Sequence, residues 1–309
     1  MTAKLLSGSA IADAIKAEIS AELLDIREIH GFSPCLAVVR VGDEPASAVY
    51  VGNKVKTSEH LGIVSEHRHF PADVSEEELL SVVKELNENE DVDGILVQLP
   101  LPKHIDETII LEAIDPEKDV DGFHPVNVGR LSQGQKTLVP CTPAGVIQIL
   151  KRSGIEIGGS HAVVVGRSNI VGKPMAALLL QENATITICH SRTRDLAFIT
   201  RQADILVAAI GRTGFITAEH IKPGATVIDV GINNVTDKSL LPNLFTDEEQ
   251  EKRLAAIEKR GFTLTGDVNQ REAMESAGAF TPVPGGVGLL TIAMLMRNTV
   301  DAAKARRKI

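Results

Sequence analysis

Tyr50 and Lys54 stand four residues apart in YVGNKVK, so a helix would place them on one face. Alone, such a pair is usually surface packing, but a lysine beside an aromatic ring can also move a proton at a substrate held against that ring. Gln98 closes a strand-like run, GILVQLP, so apolar that its amide needs a specific partner or a mouth open to a ligand. In DPEKDVDGFHP the acids Asp115, Asp119 and Asp121 lack the spacing of a calcium loop. No metal is expected there. A single carboxylate among them suits recognition of the donor groups of a heterocycle.

A second chemistry sits in HAVVVGRSNIVGKPM (161–175), where an apolar strand ends at Gly166 and a helix opens at Gly172-Lys173-Pro174. Free backbone N–H groups and the positive end of a helix dipole make such a turn a pyrophosphate cradle. Ser168 replaces the second glycine of the usual GxGxxG pattern, and the third glycine comes one residue late. About 20 residues further on, an NAD site places an acid on the ribose. This chain instead has His190-Ser191-Arg192-Thr193-Arg194, with Asp195 next. Guanidinium and hydroxyl donors welcome a 2′-phosphate that a carboxylate would repel, so the preferred cofactor is NADP.

The elements that must position these groups alternate. Helical periodicity over 9–30, 46–61 and 75–89 separates short apolar runs at 35–42, 63–70 and 94–100, the pattern of a parallel α/β sheet. A connecting helix near 141–155 leads to four more runs at 161–166, 184–190, 204–211 and 225–231, the mark of a small doubly wound sheet. A final helix runs to about residue 306. With 309 residues, two domains are expected: 1–140 joined by 282–309, and a Rossmann-type dinucleotide-binding domain over 141–281. The fold class is α/β, two such domains with a cleft between them.

Composition narrows the partners. Lys and Arg total 32 against 41 acids, a net charge of −9, and aromatics are 3% with no Trp, which excludes a generic nucleic-acid binder. Cys35, Cys141 and Cys189 have no pairing or zinc spacing. The N-terminus lacks the apolar stretch of a signal peptide, and the uncharged run 276–296 contains Pro282, Pro284 and four glycines, so no membrane span is expected. A cytoplasmic protein follows.

Taken together and in order, YVGNKVK, VQLPLP (97–102), DVDGFHPVNVGRL (119–131), PCTPAGVIQIL (140–150), GRSNIVGKPM, CHSRT (189–193), ADILVAAIG (203–211), VIDVGIN (227–233), GDV (266–268) and TPVPGGVG (281–288) resemble the bifunctional methylenetetrahydrofolate dehydrogenase/methenyltetrahydrofolate cyclohydrolase family. The resemblance covers nearly the whole chain. It implies oxidation of 5,10-methylenetetrahydrofolate with NADP, hydrolysis of the product to 10-formyltetrahydrofolate, tetrahydrofolate derivatives as ligands, and a homodimer. It also implies that Lys54 is catalytic, that Tyr50 packs on the folate, that Gln98 tunes Lys54 and that Asp121 anchors the pterin. Gly166, Arg167 and Ser168 would hold the cofactor phosphates, with Ser191 near the 2′-phosphate and Ile232 beside the nicotinamide. Pro284, Gly285 and Gly286 would shape the cleft between the domains and bind the substrate, and the last helix would return to the first domain. Other readings are a dehydrogenase without the hydrolytic step and a non-catalytic NADP-binding protein.

The chain departs from the family pattern at Leu289-Leu290, at Asn269 after GDV, and in an extra charged stretch near 235–262. That stretch reads as an inserted amphipathic helix with a solvated face.

Overall fold

The structure, a computed structural model, describes residues 2–309 and the side chains of all of these except Pro45 and Ala46. Its strands run in chain order as β1 (Lys4–Leu5), β2 (Cys35–Val41), β3 (Val64–Phe70), β4 (Gly94–Val97), β5 (His161–Val165), β6 (Thr185–Cys189), β7 (Ile205–Ala208), β8 (Thr226–Asp229), β9 (Asn233–Val235), β10 (Thr263–Thr265) and β11 (Ala279–Phe280). The chain divides into an N-terminal unit, Asp13–Cys141 with Ile292–Ile309, and a central unit, Thr142–Thr291 with Met1–Ala12. These limits differ from the sequence boundaries at residues up to Ala12 and from 282 to Thr291. The reason is pairing: β1 runs parallel to β11 in the central sheet, and the Gly8 N–H donates to the Gly285 carbonyl at 2.8 Å. Among the described residues no helix is long and apolar enough to cross a membrane.

In the N-terminal unit three parallel strands lie in the order β3-β2-β4. The central strand β2 is buried along almost its whole length, as a strand covered on both faces must be, which explains its unbroken apolar run. Helix Glu76–Glu88 starts at Ser75, whose hydroxyl accepts from the Glu78 N–H at 3.1 Å, and carries three acids in its first turn where the dipole favours them. It buries Leu79, Val83 and Leu86, one helical stripe, against the sheet core of Ala37, Val39 and Ile95. Helix Pro45–Leu61 ends at Gly62, whose φ of 87° closes it in the left-handed region.

In the central unit six parallel strands are ordered β1-β11-β8-β7-β5-β6, two more than the four apolar runs suggested. The chain leaves β5 toward β6 on one side and returns to β7 on the other. This reversal puts a switch point, where open α/β sheets bind ligands, at the carboxyl end of β5. A separate antiparallel pair, β9 and β10, brackets the extra stretch.

Candidate active site

Each unit carries one group of the singled-out residues. In the N-terminal unit, Tyr50 and Lys54 share a face of helix Pro45–Leu61. Lys54 is 8% exposed, and its Nζ donates to Gln98 Oε1 at 2.9 Å. Gln98 stands one residue past β4. Its N–H continues the ladder by donating to the Val39 carbonyl at 2.9 Å, and its Nε2 donates to the Leu99 carbonyl at 2.6 Å. The backbone is therefore fixed by the sheet and the amide rotamer by its own neighbour, so Oε1 is the atom left for Lys54. Because an amide oxygen carries no full charge, it orients the ammonium without neutralising it. One turn further on, Ser58 donates to the Lys54 carbonyl at 2.9 Å and holds that turn of helix. Tyr50 and Gln98 both line a cavity of about 620 Å³ that also includes Ser47, Leu99 and Leu101. Tyr50 keeps 38% of its surface exposed there, and burial of the rest raises its hydroxyl above the ordinary tyrosine range, so it stays protonated.

Asp121 is half-buried on the loop after residue 118. Burial pushes its carboxyl up to about 6; the charge of Lys54 pulls it down and that of Asp119 pushes it further up. The loop is held by groups the sequence reading did not identify. Asp119 accepts from the N–H groups of Gly122 and His124 at 3.1 and 2.7 Å and from Asn127 Nδ2 at 2.9 Å, so this acid is structural. Lys118 is buried, and its Nζ donates to the carbonyls of Leu86, Asn87 and Asn89 at 3.0, 2.7 and 2.7 Å. A cation thus satisfies the carbonyl end of helix Glu76–Glu88 while fixing the base of the Asp121 loop. Gly122 has φ of +72°, and a Cβ there would meet the Pro140 nitrogen at 2.6 Å. Among the described residues no group of three or more His, Cys, Asp or Glu is arranged to hold a metal ion.

In the central unit, Gly166, Arg167 and Ser168 form the turn after β5. Gly166 has φ of +140°, and a Cβ would lie 2.2 Å from the Ala209 carbonyl oxygen; one on Gly172 would lie 2.3 Å from the Gly166 carbonyl oxygen. Only glycine at both positions lets the turn close this tightly at the switch point. Helix Gly172–Gln181 opens directly from it, and Ser168 Oγ accepts from the N–H groups of Val171 and Gly172 at 3.2 and 3.3 Å. Arg167 and Ser168 are exposed, as are Ser191, Arg192 and Arg194 at the end of the adjacent strand β6. The two strand ends are tied, the Gly166 N–H donating to the Cys189 carbonyl at 2.9 Å. Asp195, the acid that would oppose a 2′-phosphate, caps helix Leu196–Thr200 by accepting from the Phe198 N–H at 3.2 Å. The donor set at this turn, a close backbone, hydroxyls and guanidinium groups, fits a phosphorylated dinucleotide.

Ile232 is 47% exposed on the loop after β8. Its two neighbours are pinned: the Gly231 N–H donates to Asp229 Oδ1 at 3.0 Å, and Asn233 Nδ2 donates to Asp267 Oδ1 at 2.9 Å. Asp267 also accepts from the N–H groups of Ile210, Gly211 and Arg212 at 2.5, 2.9 and 2.8 Å, so one buried carboxylate joins the loops after β7 and β8. Asp229 accepts from the Asp267 and Val268 N–H groups at 2.9 Å each, and its burial pushes it up to about 8. The GDV motif was visible in the sequence, but its part in fixing Ile232 becomes apparent only once β8 and residue 267 are neighbours. Finally, residues 284–286 turn against the chain start, where a Cβ on Gly8 would lie 2.0 Å from the Gly286 carbonyl oxygen.

Comparison with known proteins gives one result over the whole chain. Residues 6–121 match the tetrahydrofolate dehydrogenase/cyclohydrolase catalytic domain, and residues 140–307 match the NAD(P)-binding domain of the same family. The chain is 58% identical to the bifunctional protein FolD of Koribacter versatilis over 99% of both chains, and 50% identical to that of Brevibacillus brevis over 100% of both. Among solved structures, the methylenetetrahydrofolate dehydrogenase-cyclohydrolase of Trypanosoma brucei, in complex with NADP and an inhibitor, superimposes with a TM-score of 0.89 at 40% identity, covering 100% of both chains. The bifunctional enzyme of Campylobacter jejuni gives 0.88 at 42% identity, covering 98% of this chain and 99% of the other.

Proposed function

The chain belongs to the tetrahydrofolate dehydrogenase/cyclohydrolase family, and from that premise we propose that it oxidises 5,10-methylenetetrahydrofolate to the 5,10-methenyl form with NADP and then hydrolyses that product to 10-formyltetrahydrofolate. The observation that carries the reading is the Lys54–Gln98 hydrogen bond, a partly buried ammonium aimed by an uncharged amide beside a cavity of about 620 Å³.

When bound, NADP supplies the hydride acceptor, so the residues of this chain have to orient, exclude water and move protons. Tyr50 offers its ring face to the folate on the side from which Lys54 reaches the bridge carbon. In the hydrolytic step, water adds to the methenyl carbon and loses a proton, and one carbon–nitrogen bond then breaks as that nitrogen gains a proton and the added hydroxyl gives up its own to become the formyl oxygen, releasing one proton overall. Lys54 Nζ is the group placed to carry the proton, with Gln98 fixing its direction. Asp121, as a carboxylate, accepts from the donor edge of the pterin. In the central unit Gly166, Arg167 and Ser168 hold the cofactor phosphates, Ser191 and the neighbouring arginines receive the 2′-phosphate, and Ile232 packs on the nicotinamide. Pro284, Gly285 and Gly286 contact the folate. The reading also includes a homodimer, with edge strand β6 and its 43% exposed Ile188 as a surface for a second copy, and a cytoplasmic setting that suits three unpaired, buried cysteines.

The same Lys54–Gln98 bond favours a bifunctional enzyme over a dehydrogenase without the hydrolytic step, since hydride transfer alone needs no proton carrier. Reduced-cofactor formation from methylenetetrahydrofolate, followed in one cuvette by decay of the methenyl absorbance, tests both halves. Absence of reduced cofactor overturns the reading; formation of reduced cofactor with a persistent methenyl product leaves only the dehydrogenase.

A further inference from the structure

The extra stretch near 235–262 does more than present a solvated helix face. Helix Asp247–Arg260 buries Arg253, which is 8% exposed and lies 4.6 Å above the Phe245 ring. Val235, Leu241, Leu244, Phe245 and Ile257 form a buried cluster of their own beside it. A leucine or methionine at 253 would extend that cluster without taking a charge out of water. What the guanidinium adds is direction. Its Nη1 donates to the Leu264 carbonyl at 3.2 Å, and its Nη2 donates to Glu249 Oε2 at 3.1 Å and to the Val283 carbonyl at 3.2 Å.

Val283 lies where the sheet has stopped holding the chain. The Thr281 N–H makes the last ladder bond, to the Val227 carbonyl at 3.1 Å, and Pro282 and Pro284 have no N–H to offer. The turn that follows is gripped on one side by the Gly8 N–H at the Gly285 carbonyl, at 2.8 Å. On the other side the donor is Arg253. The turn has no slack: Gly285 has φ of +107°, and a Cβ on Gly286 would lie 2.6 Å from the Pro282 carbonyl oxygen.

We propose that Arg253 is a positioning residue, through which the inserted segment fixes the Val283 carbonyl and so sets residues 284–286 in the geometry that receives the folate. The inference rests on the assignment of Pro284, Gly285 and Gly286 to folate contact made above. It makes the insert part of the substrate-binding apparatus, and it predicts an effect on folate binding separate from cofactor binding, because the cofactor phosphates are held at the 166–172 turn.

The test compares the full-length wild type with Arg253→Met and Arg253→Lys. Hydrogen exchange of the ligand-free proteins reads the turn directly, calorimetric titration reads NADP affinity, and steady-state rates read KM for methylenetetrahydrofolate. Loss of the charge-assisted hydrogen bond to the Val283 carbonyl, with those to Leu264 and Glu249, is expected to speed exchange across 281–288 and raise the folate KM by about tenfold in Arg253→Met. NADP affinity and exchange across 166–175 should match the wild type, with Arg253→Lys intermediate. A purely structural arginine would instead lower the melting temperature and leave KM alone. Wild-type exchange at 281–288 in folded Arg253→Met, or an unchanged folate KM, overturns the proposal. Should Arg253→Met fail to fold, Arg253→Lys carries the same comparisons. A wild type inactive on methylenetetrahydrofolate refutes the proposed function before any variant is compared, and the exchange data then decide alone whether Arg253 holds the turn.

Discussion

Replacing Asp121 by Asn should make the protein more stable and a poorer enzyme, and pH should separate the two effects. Burial raises this carboxyl from 3.8 to about 6 even with Lys54 acting against the rise. A carboxyl held above its unfolded value binds its proton more tightly in the folded state, so the stability it contributes is complete below about pH 4 and is lost as pH rises through 6. Roughly two pH units correspond to on the order of 3 kcal/mol at pH 7.5, falling to about 1 kcal/mol at pH 4.5. An uncharged asparagine of the same shape avoids that cost, so urea unfolding of ligand-free Asp121→Asn against the wild type should show a stability gain that grows over this window. The gain is the sign of a charge kept for binding at the expense of the fold. In steady-state assays the variant should raise the folate KM about tenfold at pH 7.5, as loss of a hydrogen bond to a charged group would. The wild type should show the same rise as pH falls below about 6. An equal or lower stability for Asp121→Asn at pH 7.5, or a stability difference independent of pH, would refute the assignment of this shift to a half-buried, ionised Asp121.

Three further outcomes follow from the geometry. Lys54→Met should reduce methenyl hydrolysis by about a thousandfold, the scale of one lost acid–base group, while calorimetric NADP affinity stays at the wild-type value; normal hydrolytic turnover would remove Lys54 from the mechanism. Arg167→Ala should weaken NADP far more than NAD, measured as the ratio of the two KM values, and equal losses would show that Arg167 does not read the 2′-phosphate. Gly166→Ala forces a Cβ to 2.2 Å from the Ala209 carbonyl oxygen, whereas Gly211→Ala at φ of +72° meets nothing within 4 Å. The first should therefore lose NADP binding and more than about 2 kcal/mol of stability, the second only about 1 kcal/mol from the left-handed backbone, and similar losses for both would mean the turn can open.

How far the sequence reached depends on whether a feature is written in spacing or in contact. The Tyr50–Lys54 pair, the glycine turn and the basic end of β6 are local patterns, and each survives in the structure as a helix face, a closed turn and an exposed strand end. Lys118 and Asp119 could not be read this way. Both are charged residues in an acidic run, and the expectation for such a run is a solvated loop. What fixes them is the end of helix Glu76–Glu88, some 30 residues upstream, whose free carbonyls become neighbours of Lys118 Nζ only after β4 has paired with β2. β1 and β11 escaped for a different reason, since two residues each cannot show a period, and the pairing that adds them to the sheet is carried by backbone groups. Arg253 escaped for a third. Helix Asp247–Arg260 carries acids and bases around nearly its whole circumference, and the charge that turns inward is distinguished by distant groups it meets, among them the Leu264 and Val283 carbonyls. Lys118, Asp119 and Arg253 are each charged side chains that meet main-chain carbonyl or N–H groups. Main-chain partners have no sequence identity, so no residue pattern announces them, and these hold the loops on which the legible residues stand.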